Sequence, residues 1–129
     1  LLAETDDATE IFFRLALDDI RDACDVLAPV HEQSPWDGYV SMEVDPRIAY
    51  DREAQFEQAT RFHKEVDRPN LYVKIPGTEP GLGAIEDSIA AGRSINVTLI
   101  FSAVDNGGSI SWTCNSGTVE EKYLASSCK

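Results

Sequence analysis

Basic residues are scarce in this sequence. Its 129 residues include 11 Lys and Arg against 23 Asp and Glu, a formal net charge of -12. Because nucleic acids and anionic membranes are bound through clustered Lys and Arg, neither is expected as a partner. Long apolar runs are also lacking, and none approaches the roughly 20 residues that span a bilayer. The first residues show no basic and apolar leader, so we expect a soluble protein without a visible signal peptide.

Hydrophobic residues are plentiful enough to build a core. They make up 43% of the chain, which is too many for an intrinsically disordered protein. The length suits one ordinary domain. Near Ser102 the composition changes, and the Ser- and Gly-rich stretch that follows holds two of the three cysteines. We therefore predict a division into a main segment, 1–102, and a tail, 103–129.

Helical and extended patterns alternate along the main segment. Apolar residues spaced three or four apart predict three helices, and alternating apolar and polar residues predict three strands at 39–44, 71–75 and 94–101. The first helix is expected over about 6–27, with a cap at Thr5. The predicted buried faces of the first and third helices comprise Phe12, Ala16, Ile20, Ala23 and Leu27, and Leu82, Ile85 and Ile89. Strands joined by such helices form right-handed crossovers, so an α/β fold with a parallel sheet is predicted.

Four polar side chains are predicted on the sheet face that the helices leave open: Glu43, Lys74, Asn96 and Thr98. Burial favours the neutral amine of a lysine, and a neutral amine forms a Schiff base with a carbonyl. A nearby carboxylate then acts as general acid or base through a water, while the amide and hydroxyl hold that water and the carbinolamine hydroxyl. The alternative interpretation is a buried ion pair of Lys74 with Glu43 that serves structure only.

Several consecutive segments resemble the strand motifs of transaldolases. They are VSMEVDPR at 40–47, NLYVKIPGTEPGLGAIEDSIAAG at 70–92 and INVTLIFS at 95–102, preceded by DDIRDACDVLAPV at 18–30 and DGYVS at 37–41. The resemblance implies three of the eight strands of a (β/α)8 barrel. It also implies a cytoplasmic enzyme of the pentose phosphate pathway, which moves a dihydroxyacetone unit between sugar phosphates through a lysine Schiff base.

The resemblance also implies a role for each residue of the polar face. By position, Lys74 matches the Schiff-base lysine and Glu43 the carboxylate that acts through water. Thr98 and Asn96 match the residues that position the catalytic water and a substrate hydroxyl. No metal or organic cofactor is implied. Because three strands leave two open parallel edges, we expect such a segment to fold poorly alone or to self-associate through those edges.

The tail suggests a different function. GSISWTCNSGTVEEKYLASSCK at 108–129 resembles the C-terminal disulfide loop of type IV pilins, which implies a Cys114–Cys128 disulfide and a surface or filament subunit used in adhesion. This alternative places the protein outside the cell, because disulfides persist in oxidising compartments. A flexible extension with two free thiols is the other interpretation of the tail.

The remaining candidate residues are assigned structural positions. Cys24 is expected in the core beside the apolar face of the first helix. His31 and His63 lack a second ligand at metal-binding spacing, so both are interpreted as surface residues and no metal site is predicted.

Overall fold

The computed structural model describes residues 5–98, 102–105 and 110–113. The chain divides into two compact units, Leu1–Thr98 and Leu99–Lys129. The described elements of the first unit are, in order, α1 (Ala8–Gln33), β1 (Val40–Glu43), a 3-10 turn (Pro46–Ile48), α2 (Arg52–Val66), β2 (Leu71–Pro76), α3 (Glu79–Ala90) and β3 (Ile95–Thr98).

The second unit contains a pair of antiparallel strands, β4 (Ser102–Asp105) and β5 (Ile110–Thr113). The sequence pattern had not suggested these strands. Cys114 and Cys128 lie outside the described residues, and so does the predicted disulfide loop. The functional division at Ser102 stays a prediction.

The three strands of the first unit form one parallel sheet in the order β1-β2-β3. The predicted α/β fold is therefore confirmed, and it matches a segment of a (β/α)8 barrel. A helix connects each pair of consecutive strands, since α2 lies between β1 and β2 and α3 between β2 and β3, as parallel crossover connections require. The predicted third strand extended to 101, but its last three residues lie outside the described part of the chain.

Side-chain caps fix where the helices begin. The Asp7 carboxylate accepts hydrogen bonds from the backbone N–H groups of Thr9 and Glu10, so α1 is capped by Asp7 and not by Thr5. Asp51 caps α2 by accepting a hydrogen bond from the backbone N–H of Ala54. The first helix is also longer than expected, since it continues to Gln33 through an internal proline.

The core lies between the sheet and the helices. Its fully or nearly buried apolar residues are Phe13, Leu17, Cys24, Met42, Val44, Ala59, Phe62, Val66, Leu71, Val73, Ile75, Ala84 and Ile85. Cys24 is fully buried as predicted, and burial raises the pKa of its thiol. The strand residues in this set alternate with the polar side chains of the opposite face, which confirms the predicted orientation of the sheet.

Two predicted helix faces are wrong in part. In α1, Phe12 is 61% exposed, whereas Phe13 is buried and its ring lies 5.3 Å from that of Phe62. In α3, Ile85 is buried as predicted, whereas Leu82 and Ile89 are exposed and small residues form the rest of the buried side. A helix whose buried side consists mainly of small residues can approach its neighbours closely, and Leu82 and Ile89 then lie outside this contact.

Strand β3 lies at an edge of the three-stranded sheet, and Val97 on its predicted apolar face is 45% exposed.

Both histidines, His31 and His63, are partly buried, although surface positions were predicted. The ring of His63 hydrogen-bonds the carbonyl oxygen of Ser94 at 3.2 Å, and burial lowers the pKa of this imidazole.

Candidate active site

The parallel register aligns three of the predicted site residues across the sheet. Glu43 of β1 pairs with Lys74 of β2, which pairs with Asn96 of β3. Side chains of paired residues project from the same face, so these three share the polar face opposite the core. Thr98 follows two positions after Asn96 on the same strand and therefore has the same orientation.

The carboxylate of Glu43 connects two of these side chains. Its Oε2 lies 3.2 Å from Nζ of Lys74, and its Oε1 accepts a hydrogen bond of 3.3 Å from the hydroxyl of Thr98. The lysine, carboxylate and hydroxyl thus form one contiguous polar group. Asn96 lies beside this group and is joined to Ser41 of β1, its Nδ2 donating to the serine Oγ at 3.4 Å.

The Glu43–Thr98 and Ser41–Asn96 contacts both join β1 to β3 across the middle strand, and both have the same offset in register. Backbone register aligns Glu43 with Asn96 through Lys74, yet Glu43 contacts Thr98, two residues further along β3. Ser41 contacts Asn96 with the same shift of two residues over two strands. One residue of shift per strand is the stagger of an eight-stranded barrel of shear 8, in which side chains from alternate strands meet in layers.

The site is open to solvent, although a buried lysine was expected. The Lys74 side chain is 30% exposed and that of Glu43 is 48% exposed. An ion pair this open contributes about 1 kcal/mol or less to stability. The structural and the chemical interpretation both started from a buried lysine, so this exposure does not choose between them, and the role of the pair stays a prediction.

Hydrogen bonds between Asp45 and Arg47, which we call the clasp, fix the segment after β1. The sequence patterns did not indicate them. Asp45 is 7% exposed, and its carboxylate accepts from the backbone N–H of Arg47 and from the guanidinium of the same residue. The guanidinium lowers the pKa of Asp45 and also donates to the hydroxyl of Thr9 in α1. The clasp therefore ties the carboxyl end of the Glu43 strand to the first helix.

Two tyrosines lie on the polar face towards the amino-terminal ends of the strands. The rings of Tyr39 and Tyr72 are stacked with centroids 4.0 Å apart, and the His31 ring meets Tyr39 edge-on at 4.7 Å. Burial raises the pKa of Tyr72, and Tyr39 adds to the effect. Tyr72 is the register partner of Ser41, so this stack occupies the row next to Lys74.

Comparison with known proteins identifies the family. The sequence profile of the family described as "Transaldolase/Fructose-6-phosphate aldolase" matches residues 1–106, which is most of the chain. The chain belongs to this transaldolase/fructose-6-phosphate aldolase family. The predicted resemblance of the main segment to transaldolases is thereby confirmed.

Several individual members of the transaldolase family are similar in sequence to this chain. "Transaldolase 2" of Nostoc punctiforme is 50% identical over 117 residues, which cover 90% of this chain and 30% of that protein. The "Transaldolase" of Kocuria rhizophila is 48% identical over 103 residues, covering 79% of the chain and 28% of that protein. That of Mycobacterium tuberculosis is 57% identical over 86 residues, 66% of the chain and 23% of that protein.

The chain spans less than a third of the length of these transaldolase relatives. The match to the Nostoc punctiforme protein covers 117 residues, which is more than the main segment 1–102 contains, so the match includes part of the tail. Among the described residues, no helix has the length and hydropathy to cross a membrane, and no cluster of three or more metal-ligating side chains occurs.

Proposed function

We propose that this chain carries the Schiff-base centre of a transaldolase-type enzyme, which transfers a dihydroxyacetone unit between sugar phosphates. The observation that supports the proposal most directly is the contact of Lys74 Nζ with Glu43, whose second oxygen accepts from Thr98. An amine, a carboxylate and a hydroxyl in one contiguous group are what carbinolamine formation and dehydration need. The family supplies the reaction class.

In the proposed reaction, the amine of Lys74 attacks the carbonyl carbon of a ketose phosphate. The C–N bond forms, the carbonyl oxygen takes a proton, and a carbinolamine results. Glu43 then delivers a proton to the carbinolamine hydroxyl through a water, so that water leaves and an iminium ion remains. The Thr98 hydroxyl, which contacts the same carboxylate, holds that water in place.

The iminium ion accounts for the transfer step. It accepts the electron pair of the C3–C4 bond as that bond breaks, while a water takes the proton of the C4 hydroxyl and the part of the sugar from C4 onward leaves as an aldehyde. The three-carbon enamine stays covalently bound to Lys74. Attack of the enamine on the carbonyl of an acceptor aldose phosphate forms a new C–C bond, and hydrolysis of the resulting iminium releases the product and the free amine. The electron count balances without an external oxidant or reductant.

We place this chemistry in the cytoplasm and in the pentose phosphate pathway, as part of the same proposal. Phosphorylated sugars carry charge and cross membranes poorly, so their enzymes act where the sugars are made. A free, buried thiol at Cys24 is compatible with that reducing compartment.

Self-association through the edge strands of the described sheet, β1 and β3, belongs to the proposal too. Sedimentation of the purified chain, which reports its oligomeric state, tests it.

Borohydride trapping tests the proposed centre. The folded chain is incubated with fructose 6-phosphate and sodium borohydride, and its intact mass is measured. We expect one reduced three-carbon adduct, which is absent in Lys74→Met. Lys64→Met is the matched control, because Lys64 is exposed on α2 and away from the polar face. A folded sample without an adduct, or an adduct that persists in Lys74→Met, overturns the proposal.

A further inference from the structure

We infer that Ser41 is a positioning residue for Asn96 in the proposed Schiff-base site. The inference rests on the proposed function, since it assigns a role within the same site. It starts from the hydrogen bond in which Nδ2 of Asn96 donates to Oγ of Ser41 at 3.4 Å.

The contact repeats the geometry of the neighbouring pair. It joins β1 to β3 across the middle strand with a shift of two residues, as the bond from Thr98 to Glu43 does. Ser41 and Asn96 therefore form one layer of side chains from alternate strands, and Glu43 and Thr98 form the next. The stagger of the sheet brings Ser41 to Asn96, although backbone pairing aligns Asn96 with Lys74.

The bond contributes little to folding, because both side chains are exposed. Its consequence is orientational. An unrestrained asparagine amide rotates broadly about its terminal torsion, and the Ser41 bond narrows that range. One of the two N–H donors of Asn96 is used by the serine, which leaves the other donor and the carbonyl oxygen for a substrate hydroxyl.

The positions next to Ser41 on the polar face, before it along the chain and across to β2, are aromatic. Its register partner Tyr72 is stacked on Tyr39, and these rings fill the next row of the polar face. Ser41 is hydrogen-bonded to Asn96 across the middle strand, and this bond is what fixes the amide. A side chain without the hydroxyl would leave the amide unrestrained.

The test compares trapping by Ser41→Ala and Ser41→Thr with that by the unsubstituted chain at varied fructose 6-phosphate concentrations. For Ser41→Ala we expect the half-saturating concentration to rise about fivefold, the effect of one ordinary hydrogen bond, with the maximal trapping rate within twofold. Ser41→Thr keeps the hydroxyl and should restore the half-saturating concentration. Ser34→Ala, in the turn before β1, is the matched control and should behave as the unsubstituted chain.

Two results overturn the role of Ser41 and leave the proposed function standing. One is an unchanged half-saturating concentration in Ser41→Ala. The other is a change that Ser41→Thr does not reverse. An unsubstituted chain that forms no adduct removes the proposed function and this inference with it.

The contact is also tested without sugar, so the two failures are distinguishable. In an ¹⁵N-labelled chain, Ser41→Ala should shift the side-chain amide signals of Asn96 and speed their exchange with solvent, while Ser34→Ala leaves them in place. If both variants give the same Asn96 signals, Ser41 does not hold the amide, whatever the trapping result.

Discussion

Thr98 and Glu43 lie two strands apart, and the threonine hydroxyl nevertheless donates a hydrogen bond of 3.3 Å to the carboxylate. The contact spans the strand that carries Lys74, whose amine lies 3.2 Å from the other carboxylate oxygen. A flat sheet aligned only by backbone pairing would place Asn96 opposite Glu43. The barrel-type stagger therefore assembles the candidate site, in addition to supporting the fold.

Glu43→Gln should slow adduct formation on Lys74 by about 100-fold, because an amide cannot exchange a proton with the carbinolamine. The measurement is the rate of borohydride-trapped product at saturating fructose 6-phosphate. Glu86→Gln, an exposed position on α3, serves as the control and should keep the original rate. Equal rates in the two variants would exclude Glu43 as the proton-transfer group.

Glu10 should make folding stability depend on acid pH. Hydrogen bonds from Arg61 and then Arg14 lower the pKa of Glu10 to about 2 from 4.5. Because the pKa is lower in the folded state, its stabilisation is complete above about pH 4.5 and is lost as the pH falls towards 2. After solvent screening we expect about 1 kcal/mol.

Urea denaturation between pH 2 and pH 6 measures this dependence. Glu10→Gln should be less stable near pH 6 and should lose less stability on acidification. Glu57→Gln, exposed on α2, is the control for removing one acid. Parallel curves for Glu10→Gln and the unsubstituted chain would show that the ion pairs with Arg61 and Arg14 contribute nothing.

Gly81→Ala should destabilise the fold by about 3 kcal/mol. A Cβ at this position would overlap the carbonyl oxygen of Pro76 and lie 2.8 Å from Oγ1 of Thr78, the cap of α3. At Gly77 a Cβ would lie 3.4 Å from the nearest atom, which is an ordinary contact, so Gly77→Ala should cost much less. Thermal unfolding of both variants measures the difference, and equal losses would contradict the assigned close approach.

Asn70→Ala should cost about 2 kcal/mol, because two buried carbonyl groups lose their donor. The Asn70 amide is 1% exposed and donates to the carbonyl oxygens of Cys24 and Gly38, both at 2.9 Å. Asn70→Asp should be more damaging, since it brings a negative charge against the same two oxygens. Chemical denaturation gives both values, and a neutral Asn70→Ala would refute the role of these bonds.

The alternation of helices and strands could be predicted from the sequence because each strand shows a two-residue period and each helix is capped by Asp or Thr. The helix faces were harder. In α1, neighbouring apolar residues such as Phe12 and Phe13 fit two overlapping helical frames, and tertiary packing, including the contact of Phe13 with Phe62, selects one. In α3 the pattern of large apolar residues found Ile85, but it overlooked the small residues that form the rest of the buried side, which are Gly81, Ala84 and Ser88.

The members of the candidate site could also be predicted, since Glu43, Lys74, Asn96 and Thr98 share one strand face. The pair of Lys74 with Glu43 could be predicted as well, but the two contacts that cross the middle strand could not. The stagger of the sheet decides that Thr98 contacts Glu43 and that Asn96 contacts Ser41, and no local pattern encodes the stagger. The clasp between Asp45 and Arg47 was missed for a related reason, because burial of the carboxylate depends on α1 and α2 packing around it.

Peptide mapping of the borohydride-reduced chain tests the central claim most directly. After incubation with fructose 6-phosphate and borohydride, the unsubstituted protein is digested. The mass and sequence of each lysine-containing peptide are then determined by mass spectrometry. The proposed function predicts a three-carbon adduct on the peptide that contains Lys74, with the other lysines unmodified. An adduct spread over several lysines, or located on one other than Lys74, would contradict it.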